Sequence, residues 1–174
     1  IPSAWVSMKV YTDLYTKFQF KEFDDVHVLY LHGPGRNVIT TKNVPVKNVE
    51  DLKGVKLRSS GGYIDLLKEW GAVPRAMPMS EAYESLSKGV VDGSFAVPET
   101  LSGFKLADPV KYLIIPPVST SSCQCVVMNK QKWNALPDNI KKVLADVTNE
   151  MAEKHSYVWM YYDKTGIDYF KSLG

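Results

Sequence analysis

The chain is poor in cysteine: of its 174 residues only Cys123 and Cys125 are of that type, with one residue between them. That excludes a disulfide scaffold, and a bridge across a single intervening residue would be strained. With no second cysteine pair and no neighbouring histidine, the two do not read as a zinc site, so they are taken as strand residues facing one way. Long apolar runs are also lacking. No stretch approaches the roughly 18 residues that a membrane-spanning helix needs, and the opening residues Ile1 to Trp5 have neither the basic start nor the apolar core of an export signal. Charge of one sign is missing as well, since 21 Lys+Arg against 19 Asp+Glu leave a formal +2. With no basic run interleaved with aromatics, nucleic acid is excluded as a partner. There is no G-x-S-x-G, no P-loop and no H-E-x-x-H, and His27, His32 and His155 stand outside any such motif. Nothing calls for a metal or a cofactor.

What is present is 45% hydrophobic and 23% charged, enough for one core, or one and part of another. The lack of an initiator Met suggests a processed protein or an excised piece of a longer one. Met8, Tyr11, Tyr15 and Phe18 recur at helical spacing and predict an amphipathic helix from Trp5 to Phe18. Val26 to Leu31, closed by Gly33, Pro34 and Gly35, predicts a buried strand, and Ile39 to Thr41 an extended segment. Asn48 as N-cap, Asp51 three residues on and Gly54 as a left-handed cap predict one helical turn over Val49 to Lys53. Strand, loop and helix then follow in repeated order. Val55 to Arg58 is a strand, Ser59 to Gly62 a loop, and Leu66, Leu67 and Trp70 lie on a helix ended by Gly71. Val73 to Met77 is extended, Ser80 caps a helix ended by Gly89, and a strand begins at Val90 and Val91. A helix from Pro98 to about Lys105, strands over Tyr112 to Ile115 and Cys123 to Met128, and a long helix opened by Pro137 and Asp138 complete the chain. Such alternation predicts an α/β fold with a mostly parallel sheet.

In open parallel sheets ligands sit beyond the carboxyl ends of the strands. Arg58 closes the first strand of the repeated unit and precedes two serines and two glycines, so its guanidinium and the backbone N–H groups that follow can hold an anion, a carboxylate above all. An arginine paired with a surface acid explains the same residues. Phe95, Ala96 and Met79 fit an apolar pocket wall or ordinary core packing, and Tyr63 and Arg36 fit a ligand contact or a satisfied surface position. Asp92, Glu81 and Glu99 are the only acids near Arg58 that an enzyme could use.

The run Asp51-Leu52-Lys53-Gly54-Val55-Lys56-Leu57-Arg58, then Trp70-Gly71-Ala72-Val73-Pro74, Met79-Ser80-Glu81-Ala82-Tyr83 and Gly89-Val90-Val91-Asp92-Gly93, in this order and spacing, resembles the dicarboxylate-type (DctP) substrate-binding proteins of tripartite ATP-independent periplasmic (TRAP) transporters. Lys111-Tyr112-Leu113, Val127-Met128-Asn129-Lys130 and Trp133 to Pro137 continue the pattern along nearly the whole chain. The resemblance implies a periplasmic-binding-protein-like fold of two α/β lobes with hinge strands and a long helix. It also implies a periplasmic solute receptor without catalysis that takes a small organic acid and delivers it to TRAP membrane permease subunits. The family motif places the carboxylate-pairing arginine at Arg58.

Two departures carry further expectations. Where relatives continue Val-Asp-Gly with Gln-Glu-Asn-Pro, this chain has Ser94-Phe95-Ala96-Val97-Pro98, which predicts an acid with an apolar or aromatic body. Relatives also run to about twice this length. On that basis residues 1–45 are expected to be a remnant of the first lobe with a hinge strand, 46–136 the ligand-binding lobe, and 137–174 the connecting helix and a truncated tail. Apolar faces around Trp5, Val28 and Trp159 are expected to be left open and to favour a homodimer. A stand-alone oligomeric interaction module and a small-molecule enzyme on the same scaffold are the competing readings.

Overall fold

Local sequence sets the turns that place each strand. Asn48 and Asp51 form the expected reciprocal cap: the Asn48 side chain accepts the Asp51 N–H, and Asp51 accepts the Asn48 N–H at 3.1 Å, opening a 3₁₀ turn over Val49–Leu52. Gly54, Gly71 and Gly89 all adopt positive φ, near 79°, 79° and 73°, where a side chain would be strained. These left-handed stops end a helical segment and release the chain into the next extended one.

The computed structural model describes residues 3–117 and 121–174. Ile1 and Pro2, and Ser119 and Thr120 of the polar stretch before Cys123, lie outside the described residues. The elements begin with α1 (Ala4–Phe18), β1 (Val26–His32), β2 (Val38–Thr41), β3 (Lys56–Ser59), α2 (Ile64–Glu69) and β4 (Val73–Ala76). They continue with α3 (Ala82–Ser87), β5 (Gly93–Ala96), α4 (Thr100–Gly103), β6 (Tyr112–Ile114), β7 (Gln124–Asn129), α5 (Lys130–Asn134) and α6 (Asp138–Ser172). Two compact units result, one of Ile1–Arg36 and Ser119–Tyr161, the other of Asn37–Val118 and Tyr162–Gly174. The divisions fall at Arg36, Val118 and within α6, whereas the expected boundaries lie at 45 and 136. No helix among the described residues is long and apolar enough to cross a membrane.

The first unit pairs β1 with β7 in an antiparallel ribbon, His32 opposite Gln124, with α1 packed on β1. Trp5 is exposed, while Val28 and Trp159 are half-buried. Cys125 lies in β7, but Cys123 precedes the strand, and both thiols are free and exposed.

The second unit holds a five-stranded sheet in the order β4-β3-β5-β2-β6. The α/β fold is as expected, but the sheet is mixed rather than mostly parallel: β3 pairs in parallel with β4 and β5, and β2 runs antiparallel to β5 and β6. The reason is that β2 comes from before the repeated units and enters beside β5 from the opposite direction. Ile39 and Phe95 are Cα partners, Leu57 is the partner of Gly93 two residues before Phe95 and so shares its face, and the three pack with Leu52, Val55, Leu67 and Ala72 into one core. A second cluster joins Ala82, Leu86, Val91, Leu106 and Val110, with Phe170 from α6 packed against it. Three local expectations need correction. A 3₁₀ turn over Met79–Glu81 leads into α3 and no side chain caps either, so Ser80 is not an N-cap. The strand begins at Gly93, not Val90, because Val90 and Val91 both bond back to the Ser85 carbonyl. The helix after Pro98 ends at Gly103, short of Lys105, which takes a positive φ of 54°.

Candidate functional site

Side chains alternate across a strand, so register decides which residues share a face. Leu57 and Phe95 point into the core, and that sends Arg58 and Ser94, which are Cα partners, to the other face. The row continues through Arg75 on β4 and Thr40 on β2. Arg58 lies one residue short of the carboxyl end of β3, as the sequence implies.

Arg58 is 6% exposed. Its Nε and Nη2 both donate to the Met77 carbonyl, at 3.2 and 2.9 Å, which fixes the plane of the guanidinium against the end of β4. Three of its five N–H donors remain unused. Ion pairs among the described residues all involve lysine, so no carboxylate neutralises this buried cation. Burial draws its pKa below the ordinary arginine value, yet a guanidinium keeps its proton in a protein. A buried cation without a counter-charge is expensive to maintain, and an incoming anion relieves that expense.

Three buried hydroxyl oxygens nearby in sequence or register also lack a hydrogen-bond partner: Ser59 Oγ, Tyr63 Oη and Ser94 Oγ. The sequence reading singled out Tyr63 but missed both serines. Alternation counted back from Phe95 was the signal that could have placed Ser94 with Arg58.

The other expected residues separate. Phe95 is 1% exposed, edge-on to Tyr63 and Trp70 with centroids 5.2 and 5.8 Å away, so it is a core residue and does not share the Arg58 face. Ala96, two residues past Ser94, does share that face and is buried. Met79 packs on the second cluster beside Met77. Arg36 is half-buried and belongs to the other unit. Of the acids, Asp92 accepts the Lys56 N–H at 2.9 Å and aligns the start of β3, while burial raises the Glu99 carboxyl. Among the described residues no group of three or more His, Cys, Asp or Glu could hold a metal. A separate apolar cavity of about 260 Å³, lined by Ile39, Leu52, Trp70 and Ile114, lies on the Phe95 face and does not include Arg58.

The sequence profile of the family described as DctP, bacterial extracellular solute-binding protein, family 7, matches residues 5–174. A TRAP periplasmic solute binding protein from Desulfovibrio salexigens, solved as an open complex, is 37% identical with a TM-score of 0.83, over 98% of this chain and 53% of that one. A TRAP periplasmic solute binding protein from Bordetella bronchiseptica, solved with bound (R)- and (S)-mandelate, is 28% identical with a TM-score of 0.86, over 98% and 56%. The C4-dicarboxylate-binding periplasmic protein DctP of Rhodobacter capsulatus is 30% identical over 68% of this chain and 35% of its own length. The chain therefore spans about half the length of these solved relatives and about a third of that curated one.

Proposed function

Because this chain belongs to the bacterial extracellular solute-binding protein family 7, we propose that it captures a small organic acid by pairing the acid's carboxylate with Arg58. It is a periplasmic protein of that family, whose relatives are transport proteins. The observation that carries the proposal is the buried Arg58 guanidinium, held by one carbonyl and facing no acid. A carboxylate on its free N–H donors forms a charge-assisted pair in a desolvated setting, stronger than a neutral hydrogen bond. The mandelate bound to the Bordetella relative and the dicarboxylate named for the Rhodobacter one are acids of this kind. Ala96 on the Arg58 face favours an acid with an apolar body, and delivery to TRAP permease subunits is the step the family implies.

Titration calorimetry with benzoate, mandelate, succinate and glucuronate tests this. The proposal expects binding of at least one aromatic acid and its loss in Arg58→Ala. Equal affinity in the variant would contradict the arginine's role, and binding of glucuronate alone would contradict the apolar body. A second reading, self-association, rests on the exposed side chains of Leu14 and Phe18 on α1 and Val143, Val147 and Met151 on α6. Sedimentation velocity checks it: a monomer across the concentration range removes it.

A further inference from the structure

Native interiors rarely leave a buried hydroxyl unbonded, because a donor taken from water and given no partner destabilises the fold. Here, among the described residues, the buried hydroxyls of Ser59, Tyr63 and Ser94 lack a hydrogen-bond partner, and all three residues are close to Arg58 in sequence or register. Ser94 is the one that stands on the Arg58 face. It is 1% exposed, it is the Cα partner of Arg58 across β3 and β5, and its neighbour Thr40 bonds the Ser94 carbonyl at 3.4 Å rather than its hydroxyl. Ser59, equally buried, points to the Leu57 side. We propose that the Ser94 hydroxyl is a binding donor for the acid's carboxylate, reserved beside Arg58 and satisfied only when the acid is bound.

This rests on the Arg58 reading and deepens it by naming a second residue of the same site. The chemistry is specific. A carboxylate has more acceptor sites than one guanidinium edge fills, and a hydroxyl on the neighbouring strand, already desolvated, reaches it without breaking a bond elsewhere. A hydroxyl that serves the fold instead, through an ordered water or a neighbouring group, stabilises the empty protein. One reserved for a guest does the opposite.

The test uses thermal melts of the empty chain and calorimetry with benzoate, mandelate, succinate and glucuronate, on wild type, Ser94→Ala, Ser59→Ala and Arg58→Ala. Ser94→Ala is expected to melt at or above the wild-type temperature when empty, and to bind whichever acid the wild type binds best about tenfold more weakly, the loss of one hydrogen bond to a charged group. Ser59→Ala, which removes the same kind of unbonded hydroxyl from the other face, is expected to keep the wild-type affinity. Unchanged affinity in Ser94→Ala overturns the inference, and so does a clear drop in the melting temperature of its empty form. If Ser94→Ala fails to fold, Ser94→Thr, which keeps the hydroxyl, must restore both folding and affinity, and weak binding by a folded Ser94→Thr overturns the inference. Should Arg58→Ala bind as tightly as wild type, or wild type bind none of the four acids, the solute reading itself fails. A loss in Arg58→Ala with none in Ser94→Ala sinks this inference alone.

Discussion

Arg58 in one unit and His32 in the other are both buried basic side chains on short strands, and their surroundings differ. His32, 5% exposed, accepts the Trp159 indole N–H on Nδ1 at 3.2 Å and stacks on His155 with ring centroids 3.9 Å apart. Burial, and next the neighbouring His155, hold its pKa down at about 4, so it is neutral in neutral solution. His155 in turn meets the Tyr30 hydroxyl at 3.3 Å. Every polar atom named there has a partner within the same unit. Arg58 keeps its charge and has a single carbonyl for company. A buried polar group that is neutral and bonded belongs to the fold, whereas one that is charged and unanswered points outside the chain. The difference separates a structural cluster from a candidate site without any appeal to relatives.

The sharpest way to break that comparison is Arg58→Lys. A lysine keeps the charge but loses the planar fork, so acid affinity is expected to fall by on the order of 2 to 3 kcal/mol, checked by calorimetry. Retained affinity would mean that charge alone suffices. Next in size is Gly93→Ala. A Cβ at Gly93 would strike the Thr40 carbonyl oxygen and crowd Leu57, so the second unit is expected to lose about 2 kcal/mol of stability in denaturant unfolding. Gly61→Ala, with open space around it, serves as the control and is expected to be nearly silent.

The first unit offers the pH arm. A folded-state pKa of about 4 against 6.5 for a free histidine means that the unfolded chain binds the extra proton first as pH falls. The stabilisation is complete above about 6.5 and is lost as pH drops toward 4, with a size on the order of 1 to 2 kcal/mol once solvent screening is allowed for. His32→Gln, which still offers an acceptor to Trp159, is expected to flatten that part of the melting-temperature profile. An unchanged slope would move the effect to other groups. Smallest is Asn48→Ala, which removes the acceptor of the Asp51 N–H and is expected to cost about 1 kcal/mol.

Much of this was legible where the cause is local. Asn48, Asp51 and Gly54 announce their turn through side-chain and backbone chemistry within six residues, and Gly71 and Gly89 mark helix ends in the same way. Arg58 could be placed at a strand end from its flanking residues. What sequence alone left hidden depends on pairing between distant segments. Ile39 to Thr41 read as extended, but only the ladder shows β2 antiparallel to β5. Phe95 read equally as a pocket wall or as core, because its face is set by register with Ile39 on β2, not by its neighbours. The link from His32 to Trp159 spans 127 residues and has no local signature.

On the proposed function the Arg58 charge is kept for a guest and not for the fold. Replacing a buried unpaired cation with an apolar side chain of similar length should relieve the empty protein and remove what the acid recognises. Melting temperatures of wild type and Arg58→Met, each with and without the best-bound acid, measure both at once. Empty Arg58→Met is expected to melt no lower than empty wild type, and the acid to raise only the wild-type value. An empty Arg58→Met that melts well below wild type, or one still stabilised by the acid, would contradict that role for Arg58.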